Sequence, residues 1–176
     1  MKNIRILFFL PLLVILFARC GDNRPPVQFE MEYLENRFTV NPAFNPLETH
    51  IFTFDNLPTL IKQYKSNNDI SDDDILSILP QSCRFINVSG NEDYNYINEV
   101  SVKIIPFDDP SRRREIFYHQ PTVNRLGLRL DLVPNDNDLK EILLQDRFTV
   151  EVHLVQFRER PATSITTRFE MRFDVR

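Results

Sequence analysis

From Ile165 to Val175 the chain alternates without a break. Ile165, Thr167, Phe169, Met171, Phe173 and Val175 fall on one side, and Thr166, Arg168, Glu170, Arg172 and Asp174 on the other. A period of two places successive side chains on opposite faces of an extended strand. A largely apolar face opposite a charged one is therefore the signature of a half-buried antiparallel strand. No helix can bury such a pattern. The preceding segment, Arg147 to Phe157, carries Phe148, Val150, Val152 and Leu154 on one face. Arg158 to Ser164 contains Pro161 and reads as the loop of a hairpin joining the two strands.

Six further segments obey the same rule: Phe29 to Tyr33, His50 to Phe54, Arg84 to Val88, Val100 to Ile105, Glu115 to His119 and Leu126 to Leu132. Pro, Asn and Asp clusters separate them. Many short strands divided by turn signals indicate a sandwich or barrel. Helical signals are brief. Ser71 can cap a helix through Asp72, Asp73 and Asp74 that Pro80 ends, Asp138 can cap a second through Leu144, and Leu60 to Tyr64 is a third candidate. The expected fold is an all-β, immunoglobulin-like (Greek-key) antiparallel β-sandwich of about seven or eight strands with one to three short crossover helices. It lacks the Cys-Trp-Cys core signature of antibody domains, since the chain has no Trp.

The opening residues differ from the rest. Lys2 and Arg5 precede an apolar run from Ile6 to Ala18, ILFFLPLLVILFA, with Arg19, Cys20 and Gly21 directly after it. The run is short of the roughly 20 residues a spanning helix needs, and Pro11 interrupts it. A charged start, an apolar run and then a Cys resemble the signal and lipidation site of bacterial lipoproteins. Arg19 departs from that pattern, which has a small residue before the Cys. The resemblance implies that residues 1–19 are a signal peptide and that Cys20 carries a diacylglycerol and, on its amine, a fatty acid such as palmitate. It also implies a cell-envelope protein. Gly21 in place of Asp after Cys20 points to the outer membrane more than the inner. An uncleaved signal anchor is the alternative. Asn45-Pro46-Leu47-Glu48-Thr49-His50 and the long C-terminal strands loosely resemble envelope lipoproteins of Bacteroidota-like bacteria, which implies no activity.

The expected organisation is a signal at 1–19, a lipidated tether at 20–27 stiffened by Pro25-Pro26, and one β-sandwich domain over 28–176. Residues 1–19 hold three basic residues and no acid, so the net charge of -4 falls to -7 without them. Such a surface opposes nucleic acid, which needs basic contacts to displace counterions. With Cys20 lipidated, Cys83 has no disulfide partner and reads as a small core residue.

The chemistry-bearing residues are sparse. Gly90 and Gly127 are the only glycines after Gly21. Phosphate-cradling loops and dinucleotide fingerprints need glycine where backbone meets phosphate, so nucleotide enzymes are disfavoured. His50, His119 and His153 show no metal-binding spacing. Ser82 or Cys83 with His119 is an imaginable nucleophile and base, without a GxSxG elbow. Asp72-Asp73-Asp74 and Asn135-Asp136-Asn137-Asp138 read as helix caps before calcium ligands. No catalytic residue, metal ligand or cofactor is assigned. Tyr94 and Tyr96, in a polar loop, and Arg112, Arg113 and Arg114, in a turn, form the candidate binding loops for a protein or carbohydrate partner. The expected function is a lipid-anchored binding or structural module. Its alternatives are an envelope hydrolase acting on sugar or peptide and a carrier of an apolar ligand, the latter suggested by 15 Phe.

Overall fold

The structure, a computed structural model, describes residues 24–121 and 125–176. The signal segment and Cys20 lie outside the described residues. Eight strands form: β1 Phe29–Val40, β2 Thr49–Pro58, β3 Ile78–Asn87, β4 Ile97–Pro106, β5 Arg114–His119, β6 Arg129–Pro134, β7 Arg147–Phe157 and β8 Ile165–Val175. Two short helices, α1 Ile61–Asn68 and α2 Lys140–Leu143, and two 3-10 turns, Tyr94–Tyr96 and Pro110–Arg112, complete the described elements.

All strand pairs are antiparallel, and one hydrogen-bonded sheet runs in the order β1-β8-β3-β6-β5-β4-β7-β2. The sheet curls until its two ends approach, as a nearly closed barrel. The expectation of an all-β antiparallel fold of seven or eight strands with few helices is met. Division into two separate sheets is not seen, because β5 and β6 pair through Phe117↔Pro134 and Tyr118↔Val133.

The alternation in β8 does what its pattern demands. Ile165, Thr167, Phe169, Met171, Phe173 and Val175 are buried, while the intervening residues are half exposed. Phe169 meets Phe54 of β2 and Phe85 of β3; Phe173 meets Phe117 of β5 and Tyr33 of β1. These ring contacts, at centroid distances of 5.4–6.1 Å, are in the range where edge-to-face and tilted pairs are favourable. They join the two ends and the middle of the sheet across one core.

Two expectations need correction. The strands β7 and β8 do not form a hairpin: β7 pairs with β2 and β4, and β8 with β1 and β3. Each is a long strand needing partners on both edges, so the loop between them crosses the barrel. Residues 71–79 are not a helix. The Asp74 carboxylate accepts from the Ser71 amide at 2.9 Å and hydroxyl at 2.6 Å, closing a turn, and β3 begins at Ile78 by pairing with Val175. Tertiary pairing here overrides a local cap signal. The third helix signal holds in α1, and Asp138 accepts from the Lys140 amide at 3.0 Å at the start of α2.

The left-handed backbone positions fall to Asn56, Leu60, Asp69 and Gln156 and to no described glycine. Asn56 sits in the register shift of β2 between Phe54 and Leu57, where one extra residue bends the strand away from β7.

Candidate functional site

Two of the five binding-loop candidates leave the surface. Asp93 caps the 3-10 turn by accepting from the Asn95 amide, which swings both tyrosines inward. Tyr94 is fully buried, and its hydroxyl lies 3.0 Å from the Thr167 hydroxyl in β8. The Tyr96 ring packs edge-on to Phe157 with 2% of its surface exposed. Burial pushes the pKa of both phenols well above the ordinary range, so neither ionises readily. As ligand contacts they are corrected: in this fold they are core.

The arginines behave differently. Arg112 donates twice to Asp108, at 3.0 and 3.1 Å, and lies 3.5 Å from Glu141. Arg113 is exposed and lies 3.7 Å from Glu151 of β7. Arg114 donates to the Asp138 carbonyl at 2.9 Å. The three therefore diverge to three places, and Arg113 alone points over the outer face of β4 and β7.

That face carries a polar strip. Ser101 of β4 stands opposite His153 of β7 and opposite Tyr118 of β5. The Ser101 hydroxyl donates to Glu115 at 2.5 Å, and Glu115 also accepts from Asn135 at 3.1 Å. His153 Nε2 lies 2.8 Å from Glu151. Serine and histidine are neighbours in register, yet each is committed to its own carboxylate. A nucleophile needs its hydroxyl proton directed at a base that can carry it away, so the strip does not read as a catalytic pair.

The other histidines are spread. His50 is stacked between Phe44 and Phe157, with Nε2 2.8 Å from the Asn45 carbonyl. His119 ends β5; burial and then the Arg158 charge hold its ring below the usual histidine range. Cys83 is fully buried, and burial pushes its thiol up, away from nucleophilic chemistry. Among the described residues no three His, Cys, Asp or Glu side chains gather as a metal site.

Below the polar strip the surface opens. Pro106 ends β4 and Phe107 emerges 66% exposed. Opposite it, the bend at Asn56 has carried β2 aside. Between them lies a groove of about 480 Å³ lined by Asn56, Phe107, Asp108, Gln145, Asp146 and Arg147. A second hollow of about 330 Å³ shares Asn56 and Phe107 and runs up to Thr149, Arg113 and Glu151. The polar groups are held in place. Gln145 accepts from the Phe107 amide at 3.2 Å and its own amide donates to Asp108. That donation first, and Arg112 next, hold the Asp108 carboxyl below its usual range. Asp146 is paired with Lys62 at 2.7 Å. An exposed ring flanked by oriented amides, carboxylates and Arg147 suits a ligand with both an apolar face and hydrogen-bonding groups.

Sequence alone does not single out Phe107. Its only signal is position: a large aromatic directly after a strand's closing proline and before Asp108-Asp109-Pro110, where polarity announces surface. No family model matches the chain, and no curated protein matches it.

Proposed function

We propose that the chain is a lipid-anchored binding module of the cell envelope, attached through Cys20, whose contact surface is the groove at Phe107. The exposed Phe107 ring above a groove of about 480 Å³ carries this reading. The partner is a protein segment or carbohydrate that can lay an apolar face on the ring and exchange hydrogen bonds with Asn56, Asp146 and Arg147. Of the five binding-loop candidates, Arg113 stays with this site, above its upper hollow.

The rest of the molecule serves as a frame for that surface. The two four-strand halves, β1-β8-β3-β6 and β5-β4-β7-β2, face each other through ring contacts such as Phe54–Phe169 and Tyr33–Phe148. This supports describing the fold as a sandwich of immunoglobulin type closed along one side. The acidic surface fits a tether made by lipid rather than by basic residues, and a partner other than nucleic acid. We place the chain at the outer membrane.

The test is affinity capture of envelope components by the full chain and by its Phe107→Ser and Arg147→Ala variants. The site sits at the surface, so both variants should fold as the wild type does. The expected result is loss of the same captured species in both. Identical captured species from all three chains would overturn the assignment of the groove.

A further inference from the structure

The curled sheet has two ends, β1 and β2, and they are not alike. The strands share no hydrogen-bonded pair, and their backbones stay more than 8 Å apart over nearly their whole length. Each therefore leaves one row of backbone donors and acceptors unpaired by sheet. Unpaired rows are templates for further strands, and charges, bulges and covering elements are the devices that block them.

The β1 edge has all three. Its outward residues include Glu30, Glu32, Glu35 and Arg37, all exposed. Its register shifts between Tyr33 and Asn36. Helix α1 lies against it, with Tyr64 stacked on Phe29 and the Tyr64 hydroxyl accepting from the Glu32 amide at 3.2 Å.

Among the described residues the β2 edge has neither charge nor bulge over Thr49–Phe54, and no strand or helix pairs along it; the Phe38 and Phe44 rings reach it only on the inward-facing His50 and Phe52. These six residues, THIFTF, include no acid, lysine, arginine, proline or glycine. They are rich in β-branched and aromatic side chains, which suit extended pairing. The bulge at Asn56 and the proline at Pro58 protect only the C-terminal end of the strand. Ile51 is 52% exposed on the outward face, and Leu47, on the turn leading in, is 79% exposed.

We propose that a second copy of this chain pairs with this edge, β2 against β2, antiparallel about a two-fold axis at Ile51. The register is set by the faces. Opposed residues in an antiparallel pair share a face, so outward residues must meet outward residues. Centring on Ile51 sets Ile51 against Ile51, Thr49 against Thr53 and His50 against Phe52. The flanking acids then avoid one another: Asp55 falls beside Leu47 of the second copy, and Glu48 beside Phe54. Exposed Ile51 becomes covered by its own copy, and no like charges are opposed.

The paired window spans about 20 Å. A ladder that short covers less surface than the roughly 1,200 Å² at the low end of stable interfaces. The pair accordingly forms between chains held on one membrane, a condition that rests on the lipid anchor proposed above.

The experiment uses the full chain in its own membranes, with oxidation of single-cysteine additions. In the proposed register, two Ile51→Cys chains bring their Cα atoms within about 4.5–5.5 Å, inside disulfide reach. Two Thr53→Cys chains leave theirs four residues apart, about 13 Å, and out of reach. The expected result is a disulfide dimer of twice the chain mass from Ile51→Cys, about tenfold more abundant than from Thr53→Cys, Asn67→Cys on α1 or wild type. A companion variant, Thr49→Cys with Thr53→Cys, should also cross-link, and adding Ile51→Lys to it should abolish the product. An Ile51→Cys yield no greater than that of Asn67→Cys, or adducts only of other masses, would overturn the proposal. Carbonate washing of the same membranes reports whether the chain is anchored at all, so loss of the anchor and loss of pairing are read separately.

Discussion

The hydroxyl of Tyr94 is the clearest place where one residue's role depends on the whole fold. It reaches Thr167, a polar residue on the otherwise apolar inner face of β8, and each satisfies the other inside the core. Tyr94→Phe leaves the Thr167 hydroxyl buried without this partner, a loss of about 1–2 kcal/mol. Denaturant unfolding at neutral pH should show the midpoint fall with an unchanged slope. An unchanged midpoint would mean that the contact contributes nothing. The position also shows why sequence reading misplaces this loop. Asn91, Glu92, Asp93 and Asn95 surround the tyrosine with polar side chains, and only the tight 3-10 turn, invisible to any two-fold or helical periodicity, aims the ring inward. Conversely, Thr167 is legible as an inner-face residue from alternation alone, but its partner, 73 positions away, is not.

At the scale of elements, the crossing loop between β7 and β8 is fastened by one carboxylate. Glu92 accepts from the Thr163 amide at 2.9 Å, from the Thr163 hydroxyl at 2.7 Å and from the Ala162 amide. Burial pushes the Glu92 carboxyl up, but the Thr163 hydroxyl and the two amides together outweigh it and hold the group below its usual value. The folded chain thus binds this proton less readily than the unfolded chain. Its stabilising contribution is complete above about pH 4.5 and is lost as pH falls through the lower folded value. Glu92→Gln should cost about 1 kcal/mol at neutral pH and should flatten the acid limb of the stability profile below pH 4.5. Thermal unfolding across about pH 3–7 reads both; an acid limb identical to wild type would contradict the role. The strands themselves are readable, because burying one face imposes a period of two wherever it occurs. Their pairing is not. A hairpin between β7 and β8 is the short local solution, yet β7 offers apolar side chains to two neighbours, β2 and β4, and β8 to β1 and β3. Which strands are central depends on contacts across the entire chain, and no window of sequence contains that information.

For the whole molecule, curling one sheet into a near-closed barrel settles several questions together. Aromatic rings from several strands fill the interior, with Phe85 touching Phe38, Phe169 and Tyr94 at its centre. Of the 12 Phe among the described residues, 11 lie in this core or pack against it, and Phe107 is held outside. The same curl exposes two sheet ends, guards β1 and leaves β2 open, and it separates Ser101 and His153 onto an outer face where each meets its own carboxylate. Charge acts at this scale too: a net -7 beyond residue 19 keeps the domain off anionic surfaces by itself, and the attachment we propose is therefore a lipid at Cys20. That attachment underlies both the binding role we propose for the Phe107 groove and the proposed pairing of β2 edges, which needs chains concentrated on one surface. The most direct measurement is metabolic labelling with a radioactive fatty acid, comparing the wild-type chain with Cys20→Ala. Label on the wild type that disappears in Cys20→Ala, together with release of the variant from washed membranes, is the predicted result. A wild-type chain that takes up no label would contradict the lipid-anchored account.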